Sequence, residues 1–209
     1  MSIRMSFDGA IAALALLLIL TAGPASAQEA FIGQIGSNNS AGNFDLSGGA
    51  LAAIAQIGDG NTSVQINEQG KNVLIAAQLG NRNTNLSWVN GTNNFVGTVQ
   101  FGLGHTAISL ITGNANQVVT LQAGGLNQSL VNLNGNNAAA TVAQTGFGLR
   151  TNLRIQDSYT GPLTGADPLN VLINQSAGDP AVNASVTRDS SGTVIIRPGN
   201  ATTVLQLPG

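Results

Sequence analysis

The chain has 209 residues, room for one ordinary domain or a repeat array but not for two independent cores. Charged residues are 8% of it, roughly a third of the usual share, the net charge is −2 and there is no cysteine. That balance excludes a disulfide framework, a thiol nucleophile and a zinc–thiolate site, and it offers no basic field for nucleic acid or anionic lipid and no acidic tail for a cationic partner.

Met1 to Gly9 carries Arg4, Ala10 to Leu20 is an unbroken apolar run, and Ala25-Ser26-Ala27 has the small-x-small form of a cleavage site. The apolar core is too short to span a bilayer, so residues 1–27 read as a signal peptide and the mature chain begins at Gln28. Export without cysteine points to a bacterial periplasm, cell surface or medium.

What replaces charge is 27 Gly, 24 Asn and 14 Gln, and their spacing is regular. Gly80, Gly91, Gly102, Gly113, Gly124, Gly135 and Gly146 fall every eleven residues, and the grid extends back to Gly58 and Gly36. Three residues after a grid point stand Asn39, Asn61, Asn72, Asn83, Asn94, Asn116 and Asn127, with Ala50, His105, Ala138 and Leu149 as exceptions. Two residues before it, Gln34, Gln56, Gln78, Gln100, Gln122 and Gln144 recur at every second grid point, while the alternate slots hold Asp45, Asn67, Val89, Ile111 and Leu133. The repeating unit is therefore twice the glycine interval and has two halves. Each half is a Gly- and Asn-bearing turn, both types suited to left-handed or tight backbone, followed by a β-branched segment such as Val118 to Leu121 that is too short for a helix.

This arithmetic predicts an all-β fold, a two-sheet parallel β-solenoid in which residue i lies beside residue i+22 and the six glutamines form an amide ladder. Leu74, Ala76, Val96, Thr98, Val118, Thr120, Ala140 and Val142 are inward by this registration. The opposite parity is also apolar, at Val64, Ile66, Leu86, Trp88, Ile108, Leu110, Val119 and Leu121, so either face can be inside and one outer face is a candidate contact surface. Gln65 and Gln128 lie off the glutamine series.

Beyond Gln156 the grid fails, and five of the six prolines follow, at Pro162, Pro168, Pro180, Pro198 and Pro208. Short strands are predicted over 170–174, 184–188 and 193–197, and Asn200 and Gln206 echo the half-repeat. The chain thus divides into a signal peptide (1–27), a solenoid (28–156) and a Pro-containing cap or tail (157–209), with a flexible linker as the alternative for the last. Arg150 and Arg154 then fall in the final half-rung, where like charges hinder that edge, whereas the N-terminal edge at Gln34 is open.

The pattern Asn116-x5-Gln122-x4-Asn127, repeated as Asn72-x5-Gln78-x4-Asn83 and in part as Asn94-x5-Gln100-x4-His105, resembles the curlin repeat of curli amyloid subunits over residues 34–156. The family pattern begins with Ser where this chain has Asn and carries a second Gln where this chain has Val89, Ile111 or Leu133, the departures of a divergent member. The resemblance implies a secreted structural subunit of an extracellular amyloid fibre at the bacterial surface, acting in adhesion and biofilm matrix. Its implied partners are copies of itself, a second curlin-like subunit, an outer-membrane secretion pore and periplasmic accessory proteins. The competing expectation is a monomeric, capped β-solenoid that binds surfaces as an adhesin module.

Catalytic, metal and cofactor readings find no footing in the sequence. His105 is the only histidine and occupies the Asn slot of a corner; Asp59, Glu68 and Asp157 are scattered without a paired-carboxylate or Ser-His-Asp spacing. Gly102-Leu103-Gly104 lacks the strand-to-helix context of a phosphate loop, and the turns offer Asn where a calcium-binding nonapeptide needs Asp. Thr62, Thr84 and Thr106 stack in one column as in ice-binding solenoids, but Val64, Leu86 and Ile108 beside them supply no second threonine column.

Overall fold

The computed structural model describes residues 29–157, 169–188, 192–196, 198 and 203–207; the predicted signal peptide lies outside them. Among the described residues there are sixteen strands and no helix. Sheet one contains β1 (Glu29–Ile35), β3 (Leu51–Ile57), β5 (Val73–Asn81), β7 (Phe95–Leu103), β9 (Gln117–Gly125), β11 (Ala138–Phe147), β13 (Leu169–Ser176) and β15 (Gly192–Ile196). Sheet two contains β2 (Ser40–Asp45), β4 (Thr62–Asn67), β6 (Thr84–Asn90), β8 (Thr106–Thr112), β10 (Gln128–Asn134), β12 (Arg150–Asp157), β14 (Val182–Arg188) and β16 (Thr203–Leu207).

Each strand pairs in parallel with the strand two places on, never with its chain neighbour. The register is the predicted one: Gln34 opposes Gln56, Gln78 opposes Gln100 and Thr84 opposes Thr106, each pair one full repeat apart. The chain is thus a β-solenoid of stacked coils.

The choice between the two faces is resolved. Leu74, Val96, Val118, Ala140 and Val142 are buried between the sheets, while Val64, Ile66, Leu86, Trp88, Ile108, Leu110, Val119 and Leu121 face outward. The cause is the corner. Because strand side chains alternate in direction, the position of the turn glycine fixes which parity points inward, and the buried Gln two residues before it belongs to the inward set.

The expectation that the repeat ends at Gln156 is corrected. Leu169 pairs with Ala138 and Val182 with Thr151, so the offset rises from 22 to 31 while both sheets continue unbroken into β13 and β14, and then into β15 and β16. Nine additional residues between β12 and β13 throw the glycine grid out of phase without ending the strands. Pro180 sits in the corner between β13 and β14, where it removes no ladder bond. Arg150 and Arg154 are accordingly not at the edge: β14 and β16 lie beyond them, and Arg154 opposes Ser185.

Sheet two exchanges its faces along the stack. Its inner row starts polar, with Asn43 and Asp45, then Ser63, Gln65 and Asn67; it ends apolar, with Leu153 and Ile155, then Val182, Ala184 and Val186. Its outer row does the reverse, from Val64, Ile66 and Leu86 to Asn152, Arg154 and Asn183. Sheet one keeps an apolar interior at Ile54, Leu74, Val96, Val118, Val142 and Ile173.

Candidate functional site

The corners carry the first set of aligned groups. All nine grid glycines, Gly36, Gly58, Gly80, Gly91, Gly102, Gly113, Gly124, Gly135 and Gly146, have positive φ. A Cβ at Gly80 would lie 2.0 Å from the Gly102 carbonyl oxygen, and one at Gly58 2.0 Å from that of Gly80, so successive corners nest only without side chains. The Asn residues act differently from expectation. It is the residue before the slot that is left-handed, at Asn38, Arg82, Asn93, Ala115, Leu126 and Asn137, while the slot itself is a bridge between rungs. Asn61 Nδ2 donates to Gly80 O at 2.8 Å and Asn61 Oδ1 accepts the Asn83 N–H at 3.0 Å; Asn39, Asn83 and Asn127 in the same series do the same. Asn72, Asn94 and Asn116 repeat this on the other corner. The spacing of three residues between Gly and Asn therefore lets one side chain hold the next rung by both its carbonyl and its N–H.

The second set is the glutamine ladder. Gln34, Gln56, Gln78, Gln100, Gln122 and Gln144 each donate Nε2 to the Oε1 one rung on, at 2.5, 2.7, 2.8, 2.9, 2.8 and 2.8 Å, the last acceptor being Gln175. From Gln56 to Gln144 the same nitrogen also crosses to sheet two, as from Gln100 to Thr84 O at 2.9 Å. Buried amides are costly unless paired, and this column pairs them along and across the stack. One member escaped the sequence reading. Gln175 was hidden by the longer step before it, although Leu169, Val171, Ile173 and Gln175 repeat the alternation of Ala138, Ala140, Val142 and Gln144. Gln65 lies off this column, in sheet two, but is buried; oriented with its nitrogen toward acceptors, it donates to Asn43 Oδ1 at 2.9 Å and accepts the Ala76 N–H at 3.1 Å.

The two ends of the stack differ. In β1 the core position Ile32 is 45% exposed, whereas Ile54 one rung on is 0% exposed, and Gln34 is exposed where Gln56 is buried. At the far end Val194 and Ile196 of β15 are buried. Gln175 Nε2 makes the usual cross-sheet bond, to Arg150 O at 3.1 Å, and donates to Pro180 O at 2.9 Å in place of a further glutamine. Continuing the register of β13 and β15 by two residues sets Pro198 opposite Gln175, which ends the ladder.

The scattered charged groups are absorbed by corners. The Ser37 N–H and hydroxyl, at 2.7 and 2.8 Å, hold the Asp59 carboxyl below the usual carboxylate range. Burial works against the Asp45 carboxylate, but hydrogen bonds from Asn67, Ala50, Ser47 and Gly48 hold it below that range. Glu68 accepts the Trp88 indole N–H at 3.0 Å; the Asp157 side chain lies outside the described residues. His105 replaces Asn in its column: Nε2 lies 3.1 Å from Phe101 O and Nδ1 accepts the Asn127 N–H at 3.4 Å, which requires the neutral ring. Burial pushes the His105 pKa below its ordinary 6.5, against the opposing pull of the Phe101 and Gly124 carbonyls. A depressed folded-state pKa means that the unfolded chain binds the proton more readily, so this stability is complete above the ordinary value and is lost as pH falls through the folded value. We expect the denaturation midpoint of the natural chain to fall relative to His105→Asn between about pH 7 and pH 5; parallel profiles for the two proteins would contradict that role.

Fold and columns together define a class, a β-solenoid repeat protein whose rungs are tied by amide ladders. No family model matches the chain, and no curated protein or solved structure matches it.

Proposed function

We propose that this chain is a structural subunit of an extracellular fibre, a divergent curlin-type protein that grows by adding solenoid rungs edge to edge. The observation that carries the reading is the unfinished N-terminal rung, where Ile32 and Gln34 occupy core and ladder positions yet remain exposed. Another rung against β1 and β2 would cover Ile32 and give the Gln34 oxygen the donor that every later glutamine has. Natural solenoids block such edges with charge or irregular caps; here the only charged side chains in β1 and β2 are Glu29 and Asp45. The role is structural, not catalytic, and the reading places the subunit at a bacterial surface, exported through an outer-membrane pore, in an adhesive matrix.

The closed C-terminal rung favours a second reading, a monomeric capped solenoid that binds surfaces. One experiment separates them. The chain beginning at Gln28 should form thioflavin-positive fibres with a repeat of about 4.8 Å along the axis, and Ile32→Lys should lengthen the lag about tenfold or more, because it sets an unpaired charge against the next rung. A chain that stays monomeric at high concentration supports the second reading instead.

A further inference from the structure

The outer face of sheet one is covered by no other element among the described residues. From Leu51 to Ile195 no outward side chain on it is charged among the described residues; Glu29 in β1 is the single exception. Leu51 to Ala55 and Val73 to Ala77 are apolar at every position, inward and outward alike, the composition of parallel strands covered on both faces. Phe31 and Ile35 are exposed on the same face, and Phe101 is 62% exposed. Sheet two differs, its outward row carrying Asn132, Arg150 and Arg154.

We infer that this face packs against the same face of a second copy, related by a two-fold axis, in a dry sheet-on-sheet interface. Shape and extent both point to a copy of this chain. In register across the strands, Ile57, Leu79 and Phe101 form a ridge, and Ala55 and Ala77 form a trough beside it. A two-fold axis running between ridge and trough seats each ridge in the other copy's trough, the self-complementarity an isologous contact needs. The apolar rows of four strands, β3 to β9, at about 4.8 Å spacing and about seven residues each at about 3.3 Å give roughly 450 Å² of flat projection per copy. The uncharged rows of β11 and β13, with Thr141, Thr145, Asn170 and Asn174, extend it to roughly 650 Å² as a polar margin. Side-chain relief raises the accessible area toward the roughly 800 Å² per partner of a standard stable interface and beyond the few hundred Å² that monomers usually expose. Since neither face carries charge over these strands, no like-charge pairs oppose the contact.

This contact is lateral and does not rest on the fibre reading. The test uses the chain from Gln28 onward, which keeps all sixteen strands. Because the natural chain has no cysteine, single substitutions report each face separately. At micromolar concentration Val99→Cys, at the centre of sheet one, should be alkylated by a maleimide about tenfold more slowly than Gln128→Cys, which faces out from sheet two. In sedimentation the natural chain should run as a pair, or its fibres should have twice the mass per length of one stack. Leu79→Lys with Leu121→Lys should halve either value while the circular dichroism spectrum is retained; Leu121→Lys alone, at a more exposed position, serves if the pair misfolds. Equal alkylation of the two cysteines, or masses unmoved by the lysines, overturns the inference. Pairs without fibres would keep it and remove the fibre reading; fibres with the mass per length of one stack would do the opposite.

Discussion

Gly80→Ala should unfold the solenoid locally or altogether, whereas Gly48→Ala should leave it standing. Both glycines have positive φ, 120° and 74°, and a side chain there costs about 1–3 kcal/mol through backbone conformation alone. They differ in what a methyl group meets. At Gly48 nothing lies within 4 Å; at Gly80 the new Cβ falls 2.0 Å from the Gly102 carbonyl oxygen and 2.8 Å from its carbon. That oxygen also accepts the Asn83 Nδ2 at 3.1 Å, so moving it away breaks the corner bridge as well. Backbone cannot yield as a flexible side chain does, and the rungs must separate. Gly80→Ala should therefore exceed about 4 kcal/mol, the range reserved for core and network failures, against about 1–3 kcal/mol for Gly48→Ala. Chemical denaturation of the two variants measures the contrast; equal losses would mean that the glycine columns do not set the spacing between rungs.

The second large effect belongs to the ladder and is read as a coupling. Gln100→Leu leaves the Gln78 nitrogen without its Gln100 acceptor and the Gln122 oxygen without its donor, and Thr84 O loses its side-chain bond. Each orphaned buried group costs about 1–3 kcal/mol, so the single substitution should cost about 2–6 kcal/mol. Gln128→Leu, at an exposed position, should stay within about 0.5 kcal/mol. Gln122→Leu alone repeats the damage one rung on, through Gln100, Gln144 and Thr106. In the double variant the bond between the two sites is absent from both sides, and two ladder amides are orphaned instead of four. Its cost should fall short of the summed singles by about 2–6 kcal/mol, the two amides no longer orphaned. Strict additivity would show that the glutamines are individually solvated and not a connected network.

Most of this architecture is legible in the sequence because a parallel stack repeats its geometry at a fixed interval, so any residue type required at one place recurs at that interval. Gly80, Gly102 and Gly124 recur because no other residue fits, and Gln78, Gln100 and Gln122 because each needs the next. What was not legible follows from the same rule. Nine extra residues between β12 and β13 hid the place of β13 to β16 in the stack but not the strands expected at 170–174, 184–188 and 193–197, since alternation survives an insertion and a positional grid does not. The inward face was ambiguous because both parities are apolar at Leu74 and Ile75 or at Val118 and Val119, and hydropathy alone cannot choose between them. The bridging role of Asn61 depends on where its two amide groups point one rung away, which no spacing within one chain segment reveals.

The constant interval between paired strands also governs how the molecule folds. Every rung from β1 to β12 contacts the next across the same length of chain, regardless of how many rungs there are. The mean sequence distance of contacts therefore does not grow with chain length, and the stack escapes the slowing that long-range β pairing usually brings. Once two coils have closed, each new one adds across the same short loop, so closure spreads like a zipper from any starting rung. Even the longer step between β11 and β13 is a minor obstacle, adding only about 0.3 kcal/mol of loop-closure entropy over an ordinary one. A connection that admits nine residues so cheaply is a place where the chain can gain or lose a segment while the strands on either side keep their pace.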